Sequence, residues 1–176
     1  MKKGFTMIEL VFVIVILGIL AGIAIPRLAA TRDDASATKA AMEIKDVITQ
    51  VAAYYTIKGQ WATSAVTGTG TDAIIKTDAT DITTSTADAG TNKELQNLSS
   101  TLNTVVGRKA NAADQWYKCI SITPSNANGN IVIASKADTS SYCKAVVQVP
   151  AVSEWIELGK TTGIAVGGSG IYPTKK

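Results

Sequence analysis

Residues 1–28 read MKKGFTMIELVFVIVILGILAGIAIPRL, and this stretch decides the architecture of the chain. From Leu10 to Ile25 it contains only apolar residues and glycine. Counted from Phe5 to Ile25, a helix of 21 residues is about 31 Å long at ~1.5 Å per residue. A bilayer core needs about 20 such residues. The segment is therefore predicted to cross a membrane as a single helix.

Three kinds of N-terminal segment contain such an apolar run, and the residues within and beside the run distinguish them. A cleaved secretory signal has an apolar region of up to about 15 residues and a small-residue cleavage site, whereas this run is longer and Pro26-Arg27 follows it. A plain membrane anchor leaves Glu9 unexplained, because a carboxylate inside a spanning helix is costly and marks a functional candidate. The simple alternative is that Glu9 reaches the interface near the helix start. Lys2 and Lys3 place the N-terminus in the cytoplasm by the positive-inside rule.

The order Lys2-Lys3, Gly4, then the sequence FTMIE at 5–9 before an unbroken apolar run resembles the signature of type IV prepilins. In that family a membrane-embedded prepilin peptidase cuts after the glycine and methylates the new N-terminal residue. The resemblance implies cleavage between Gly4 and Phe5, and N-methylation of Phe5. It also implies that Glu9 attracts the N-terminal amine of a neighbouring subunit, because an ion pair offsets the cost of burying either charge alone. Met7 and Gly22 stand where leucine and alanine are frequent in that family. Neither difference affects the cleavage site or the role of the Glu9 charge.

Gly18, Gly22 and Pro26 predict a flexible stretch within the helix. Glycine lowers helix propensity by about 1 kcal/mol relative to alanine, and proline lacks the N–H for its own helical hydrogen bond. In filaments of the family that the chain resembles, the matching stretch can lose helical structure. The alternative is close packing of helices through small residues, and both can hold together.

Beyond Pro26 the helix is predicted to continue as an amphipathic segment. Apolar residues recur at three- and four-residue spacing on one face, and Lys58-Gly59 gives a natural C-terminal cap. We therefore predict one helix over 5–58, whose part 5–25 is the transmembrane or filament-core half and whose second half packs on a globular head, 59–176. The residues of the apolar face are Ile44, Val47, Ile48, Val51 and Tyr55.

The head begins with a change of composition. Residues 62–91 are rich in threonine and alanine and are predicted to form an exposed loop. The aspartates within it lack EF-hand spacing, so they give only weak support for a calcium site. Thr91–Glu94 has the form of a capping box. A second amphipathic helix is predicted to follow and to end at Gly107; its apolar positions are Leu95, Leu98, Leu102, Val105 and Val106.

The remainder of the head has the signals of an antiparallel sheet between residues 115 and 166. Strands are predicted at 116–123, 131–134 and 142–149, with a short fourth element at 164–166, and Asn128-Gly129 is a hairpin-like turn. Three or four strands laid on a long helix give an α+β fold, as expected for the pilin fold that the N-terminus resembles. Cys119 and Cys143 fall in the first and third of these strands.

A disulfide between Cys119 and Cys143 is the expected state of a head that faces an oxidising compartment. Closing a loop of this length stabilises the fold by about 3 kcal/mol on the chain-entropy model. In pilins, a disulfide commonly fixes the C-terminal region, which agrees in kind. Two buried free thiols are the alternative.

Composition argues against an enzyme and against a nucleic-acid-binding protein. The chain has no histidine and carries 17 basic and 14 acidic side chains, a net charge of +3, which is too balanced for a clustered basic face. It has neither a phosphate-binding loop nor a nucleophile elbow. We therefore expect no catalytic residue, no metal or other cofactor, and no nucleic-acid or small-molecule ligand.

The expected function is that of a structural subunit that polymerises through its N-terminal helices. The resemblance implies three partners: prepilin peptidase, an assembly ATPase and an inner-membrane platform. It also implies a single-pass inner-membrane precursor that becomes part of an extracellular pilus or a periplasmic filament. Two alternatives stay open at this point. One is a pseudopilin of a type II secretion system, and the other is a periplasmic binding protein or enzyme that uses the helix only as an anchor.

Overall fold

The computed structural model describes residues 5–63, 78–84, 97–108, 114–127 and 129–166. The predicted leader 1–4, the predicted capping box 91–94 and Asn128 lie outside these ranges. The elements in chain order are α1 (Met7–Lys58), a 3₁₀ helix (Ile82–Thr84), α2 (Ser100–Val106), a second 3₁₀ helix (Trp116–Lys118), β1 (Ile120–Ser125), β2 (Asn130–Ser135), α3 (Ser141–Gln148), α4 (Pro150–Gly159) and β3 (Ile164–Ala165).

The predicted long helix is confirmed as α1, which has 52 residues. It begins after Thr6 and ends at Gly59, whose φ of 73° lies in the left-handed region that favours glycine. The N–H of Gly59 donates to the carbonyl of Tyr55 at 2.7 Å and so closes the last turn. The helix is unbroken through Gly18, Gly22 and Pro26.

The second half of α1 forms one wall of the hydrophobic core. The predicted apolar face is confirmed, since Ile44, Val47 and Val51 are fully buried and Ile48 and Tyr55 pack against the core. One turn earlier, alanines continue this buried face, and their small side chains allow close packing. α1 packs most closely against α3 and α2. The buried alanines are Ala37, Ala40 and Ala41.

The three strands form one antiparallel sheet in the order β1-β2-β3, which confirms the α+β class. Ile122 pairs with Ile133 across β1 and β2, and both side chains are buried in the core that α1 shares. α4 packs on β2 so closely that a Cβ atom at Gly159 would lie 2.1 Å from the carbonyl oxygen of Ile133. Only glycine fits at this contact.

The predicted third strand, 142–149, is wrong, because these residues lie in α3 and the loop after it. Ser140 caps this helix by accepting a hydrogen bond from the N–H of Cys143 at 3.2 Å. The helix then buries Tyr142, Cys143 and Val146 on one face. The first strand starts at Ile120 rather than at residue 116, since residues 116–118 form a 3₁₀ helix, and α4 is an element that the sequence pattern did not predict.

Two predictions about residues 62–107 also need correction. The second helix is not continuous from the capping box, because Ser99 is extended and caps a separate helix, α2, through a 3.1 Å hydrogen bond from the N–H of Leu102. The loop 62–91 is not exposed throughout. Within its described part, Ile82 and Thr83 are buried against β1.

A group of charged side chains ties α1 to the segment between α2 and β1. The carboxylate of Glu43 accepts hydrogen bonds from Arg108 and from the indole N–H of Trp116, the latter at 2.9 Å. Arg108 also pairs with Asp114 at 3.1 Å. The hydrogen bond from Arg108 to Glu43 is the main cause that raises the pKa of the guanidinium. This group fixes the head on the helix that carries the candidate site.

Candidate functional site

The N-terminal half of α1 is an apolar surface without cover in the isolated chain. Every side chain from Phe5 to Ile25 is exposed. Met7–Ile25 is the segment of the described chain that is long and apolar enough to cross a membrane, and none of it is buried. Apolar patches of this extent mark membrane or protein contacts. This half of the helix is therefore the candidate site, and its cover must come from lipid or from other chains.

Thr6 and Glu9 form a capping box at the start of this surface. Glu9 Oε2 accepts hydrogen bonds from the backbone N–H of Thr6 at 2.8 Å and from Thr6 Oγ1 at 2.7 Å. The backbone N–H of Glu9 in turn donates to Thr6 Oγ1 at 3.4 Å. Thr6 is a functional residue that was not predicted from the sequence, although the spacing T-x-x-E at 6–9 is the signature of this motif. Thr6 therefore positions the carboxylate of Glu9.

The capping box holds the carboxylate of Glu9 at the N-terminal end of the helix, where the helix dipole favours a negative charge. Only Oε2 is used within the described part of the chain, so Oε1 can accept a further donor. Phe5 lies next to the cap and is 86% exposed. Gly4 lies outside the described residues, so cleavage after Gly4 and methylation of Phe5 stay predictions.

Gly18 and Gly22 lie on the exposed helix, where a Cβ atom at either position would meet no atom within 4 Å. Packing within the chain therefore does not require glycine at either position. Pro26 is part of the continuous helix. Because proline lacks an N–H, the carbonyl of Gly22 has no helical donor there. The predicted flexibility of this stretch stays a prediction.

The predicted disulfide between Cys119 and Cys143 is present, with its Cα atoms 5.0 Å apart. Both cysteines are buried. The bond joins the turn before β1 to the first turn of α3 and so fixes the C-terminal part of the head. It lies in the head and not at the apolar surface, so the structure assigns it a role in stability.

The described residues do not assemble a reaction centre. A small polar pocket between α1 and α2 contains Glu43 and Arg108, but these two groups are paired with each other. No group of three His, Cys, Asp or Glu side chains in the described ranges could hold a metal ion. The chemistry of the candidate site is therefore association of an apolar helix that carries one carboxylate near its start.

Comparison with known proteins agrees with this site. A family model described as "Prokaryotic N-terminal methylation motif" matches residues 1–25. The chain is similar to the type IV major pilin protein PilE1 of Neisseria gonorrhoeae, with 29% identity over 150 residues that cover 80% of this chain and 82% of that protein. No solved structure matches the chain. The motif covers the exposed helix and the similarity extends into the head, so both comparisons support a type IV pilin-like protein and point to a structural subunit rather than an enzyme.

Proposed function

We propose that the chain is the subunit of a type IV pilus-like filament. Prepilin peptidase cuts it between Gly4 and Phe5 and methylates Phe5, and the mature chain polymerises through α1. The observation that carries this proposal is an uncovered apolar half-helix whose single carboxylate, Glu9, is held at its start by a capping box. The match to the methylation motif and the similarity to a major pilin support it.

Before assembly, the segment Met7–Ile25 lies in the inner membrane, with the N-terminus in the cytoplasm and the head outside. During assembly, apolar surfaces of neighbouring helices replace the lipid around it. Head-to-tail contacts that do not close generate a filament from identical copies. Since the chain carries no nucleotide-binding motif, a separate ATPase and an inner-membrane platform supply the work.

Cleavage gives Glu9 a partner. Removal of the leader leaves a positive amine on Phe5, and Glu9 Oε1 of a neighbouring subunit is available to accept from it. In a low-dielectric filament core, this ion pair offsets the cost of burying both charges. Gly18 and Gly22 leave room for the close approach of another helix.

Two observations favour a pilus subunit over a pseudopilin of a type II secretion system: the disulfide in the head and the similarity to a major pilin over most of the chain. A periplasmic binding protein or enzyme on a simple anchor would leave the Gly4–Phe5–Glu9 arrangement unused. Electron microscopy of sheared cells distinguishes the pilus subunit from the pseudopilin. If the chain is a pilus subunit, long surface fibres should contain it. Its restriction to envelope fractions would favour the pseudopilin.

Mass spectrometry of the mature chain tests the processing step directly. The expected N-terminal residue is Phe5 with one added methyl group. A mature protein that retains Met1 would contradict the proposal.

Substitution of Glu9 tests the assembly step. Glu9→Val should be cleaved like the unaltered chain but should yield few or no filaments, because the amine of the incoming subunit finds no partner. Ile8→Val, one position earlier on the same exposed helix, is the matched control and should assemble normally. Normal filaments from Glu9→Val would refute the docking role of this carboxylate.

A further inference from the structure

β1 lies at one edge of the sheet, because the strand order is β1-β2-β3. One side of β1 is paired with β2 along its whole length. The other side would present unpaired backbone groups, and such an edge is a template for strands of other chains. The opposite edge is β3, which has only two residues. β1 is therefore the longer of the two edges and the one that can support unwanted pairing.

Residues 78–84, which we call the edge cap, cover this side of β1. They bond four backbone groups along the edge, two carbonyls and two N–H groups. The four bonds are Thr83 Oγ1 to the Ile120 carbonyl (3.2 Å), the Ile122 N–H to Asp81 Oδ1 (3.1 Å), the Ala79 N–H to the Pro124 carbonyl (2.8 Å) and the Asn126 N–H to Asp78 Oδ1 (2.7 Å).

Three of these four bonds use side chains of the cap, and only Ala79 uses its backbone. The cap is thus not a fourth strand, and residues 78–84 contain none. This distinction matters, because a regular fourth strand would move the open edge outward by one position. Carboxylate and hydroxyl groups satisfy the edge without presenting a new row of backbone donors and acceptors.

The cap is itself held firmly in place. Ile82, a residue of the cap, is fully buried in the core. The ammonium group of Lys136, which follows β2, bonds Thr83 Oγ1 at 2.7 Å and Asp81 Oδ2 at 3.0 Å. Ala79 has φ 51°, in the left-handed region that alanine rarely adopts. The surrounding contacts therefore impose this geometry on the segment, since local preference opposes it.

We propose that the edge cap is an autoinhibitory contact that prevents β1 of one copy from pairing with β1 of a second copy. Apart from the missing N–H of Pro124, two identical edges placed antiparallel are complementary to each other, so uncapped copies would form a closed pair. The proposed function concentrates identical heads on a membrane or a filament, which makes encounters between such edges more frequent. The second copy is therefore the chain against which the cap acts.

Substitutions at Asp81 test the cap in the full chain in detergent micelles. At a concentration where it is monomeric, Asp81→Ala lacks the acceptor for the Ile122 N–H, so hydrogen exchange at Ile122 should accelerate at least tenfold while exchange at Ile133 in β2 stays unchanged. The same variant should sediment as dimers or larger species at concentrations where the unaltered chain does not. Asp81→Asn keeps the acceptor for Ile122 but loses the ion pair between Lys136 and Oδ2, so it should accelerate exchange at Ile122 and promote self-association less than Asp81→Ala does.

Asp46→Ala is the matched control, because it removes an exposed carboxylate from α1. Asp78→Ala opens the other end of the cap and should accelerate exchange at Asn126 instead of at Ile122. Unchanged exchange at Ile122 in Asp81→Ala, or faster exchange there without self-association, would overturn the proposal. Equal acceleration throughout the head in both alanine variants would also overturn it, since the segment would then be a general stabilising element.

Discussion

The phenol of Tyr142 is a buried polar group that lacks a hydrogen-bond partner within the described chain. The side chain is 9% exposed. Burial is the largest cause that raises its pKa, and the nearby carboxylates of Asp114 and Glu43 add to the effect. An unsatisfied buried hydroxyl costs about 1–3 kcal/mol relative to its hydrated state in the unfolded chain. The ring of Tyr142 therefore stabilises the core, whereas its buried hydroxyl lowers the stability of the folded chain.

Tyr142→Phe should raise the free energy of unfolding at pH 7 by about 1 kcal/mol, because it removes the unsatisfied hydroxyl and keeps the ring. The pKa of Tyr142 is raised in the folded state above an unfolded value of about 10. The unaltered chain should thus lose stability as pH rises above about 10, and the variant should lose less. Urea unfolding at pH 7 and pH 10.5 measures both effects. Tyr55→Phe, at a partly exposed tyrosine, is the control, and a less stable Tyr142→Phe at pH 7 would contradict the prediction.

Gly159 and Gly18 differ in the space around them for a side chain. Gly159→Ala should lower the free energy of unfolding by about 2 kcal/mol, because the new methyl group would meet the carbonyl of Ile133 and force α4 away from β2. Gly18→Ala meets open space and should stabilise the isolated subunit by up to about 1 kcal/mol. Urea titration in detergent compares them, and equal effects would contradict this assignment.

These residues also show what a sequence can and cannot predict at this scale. The functional role of Glu9 could be predicted from the sequence, because it is a single carboxylate in the otherwise apolar segment Met7–Ile25. The constraint on Gly159 could not, because it comes from β2, about 25 residues earlier in the chain. Thr6 is an intermediate case, since the capping-box spacing is present in the sequence but only the hydrogen bonds show that it holds Glu9.

At the scale of elements, α1 was predictable and α3 was not. The apolar period of α1 extends over many turns, so local exceptions do not obscure it. Ser141–Gln148 is short, and its valines and tyrosine favour a strand by propensity. Such preferences differ by less than about 1 kcal/mol per residue. The cap at Ser140 and the burial of one helical face against α1 outweigh them.

The disulfide links α3, which was wrongly predicted as a strand, to the turn before β1, and its removal has a defined expected cost. Replacing Cys119 and Cys143 by serine should lower the free energy of unfolding by about 3 kcal/mol, because their sequence separation of 24 closes a loop of moderate length. The shift of the urea midpoint measures this. A reductant should destabilise the unaltered chain by a similar amount and leave the double variant unchanged. A loss below about 1 kcal/mol would contradict a stabilising role for the bond.

For the whole molecule, α1 serves two separate purposes. Its residues 7–25 are exposed and contribute no buried side chain to the head, whereas its second half supplies a wall of the core that begins, among the described side chains, at Ala37. The sequence pattern predicted this division, because the run of apolar residues changes to a one-sided pattern after Pro26. It could not predict the edge cap, because that contact joins Asp78, Asp81 and Thr83 to a strand about 40 residues later. Composition alone made the segment look like exposed loop.

This division predicts that the head folds without the first half of α1. A chain that starts at residue 29 should keep its free energy of unfolding within about 1 kcal/mol of the full chain, because the described side chains that it removes are all exposed. It should also stay monomeric in water without detergent, since the apolar surface is gone. A chain that starts at residue 45 is the matched control and should not fold, because it lacks Ala37, Ala40 and Ile44 and leaves Arg108 without Glu43. Size-exclusion chromatography and urea titration measure both outcomes. A head that unfolds when only residues 1–28 are removed would show that the two halves of α1 depend on each other, and the assembly surface could not then be separated from the fold.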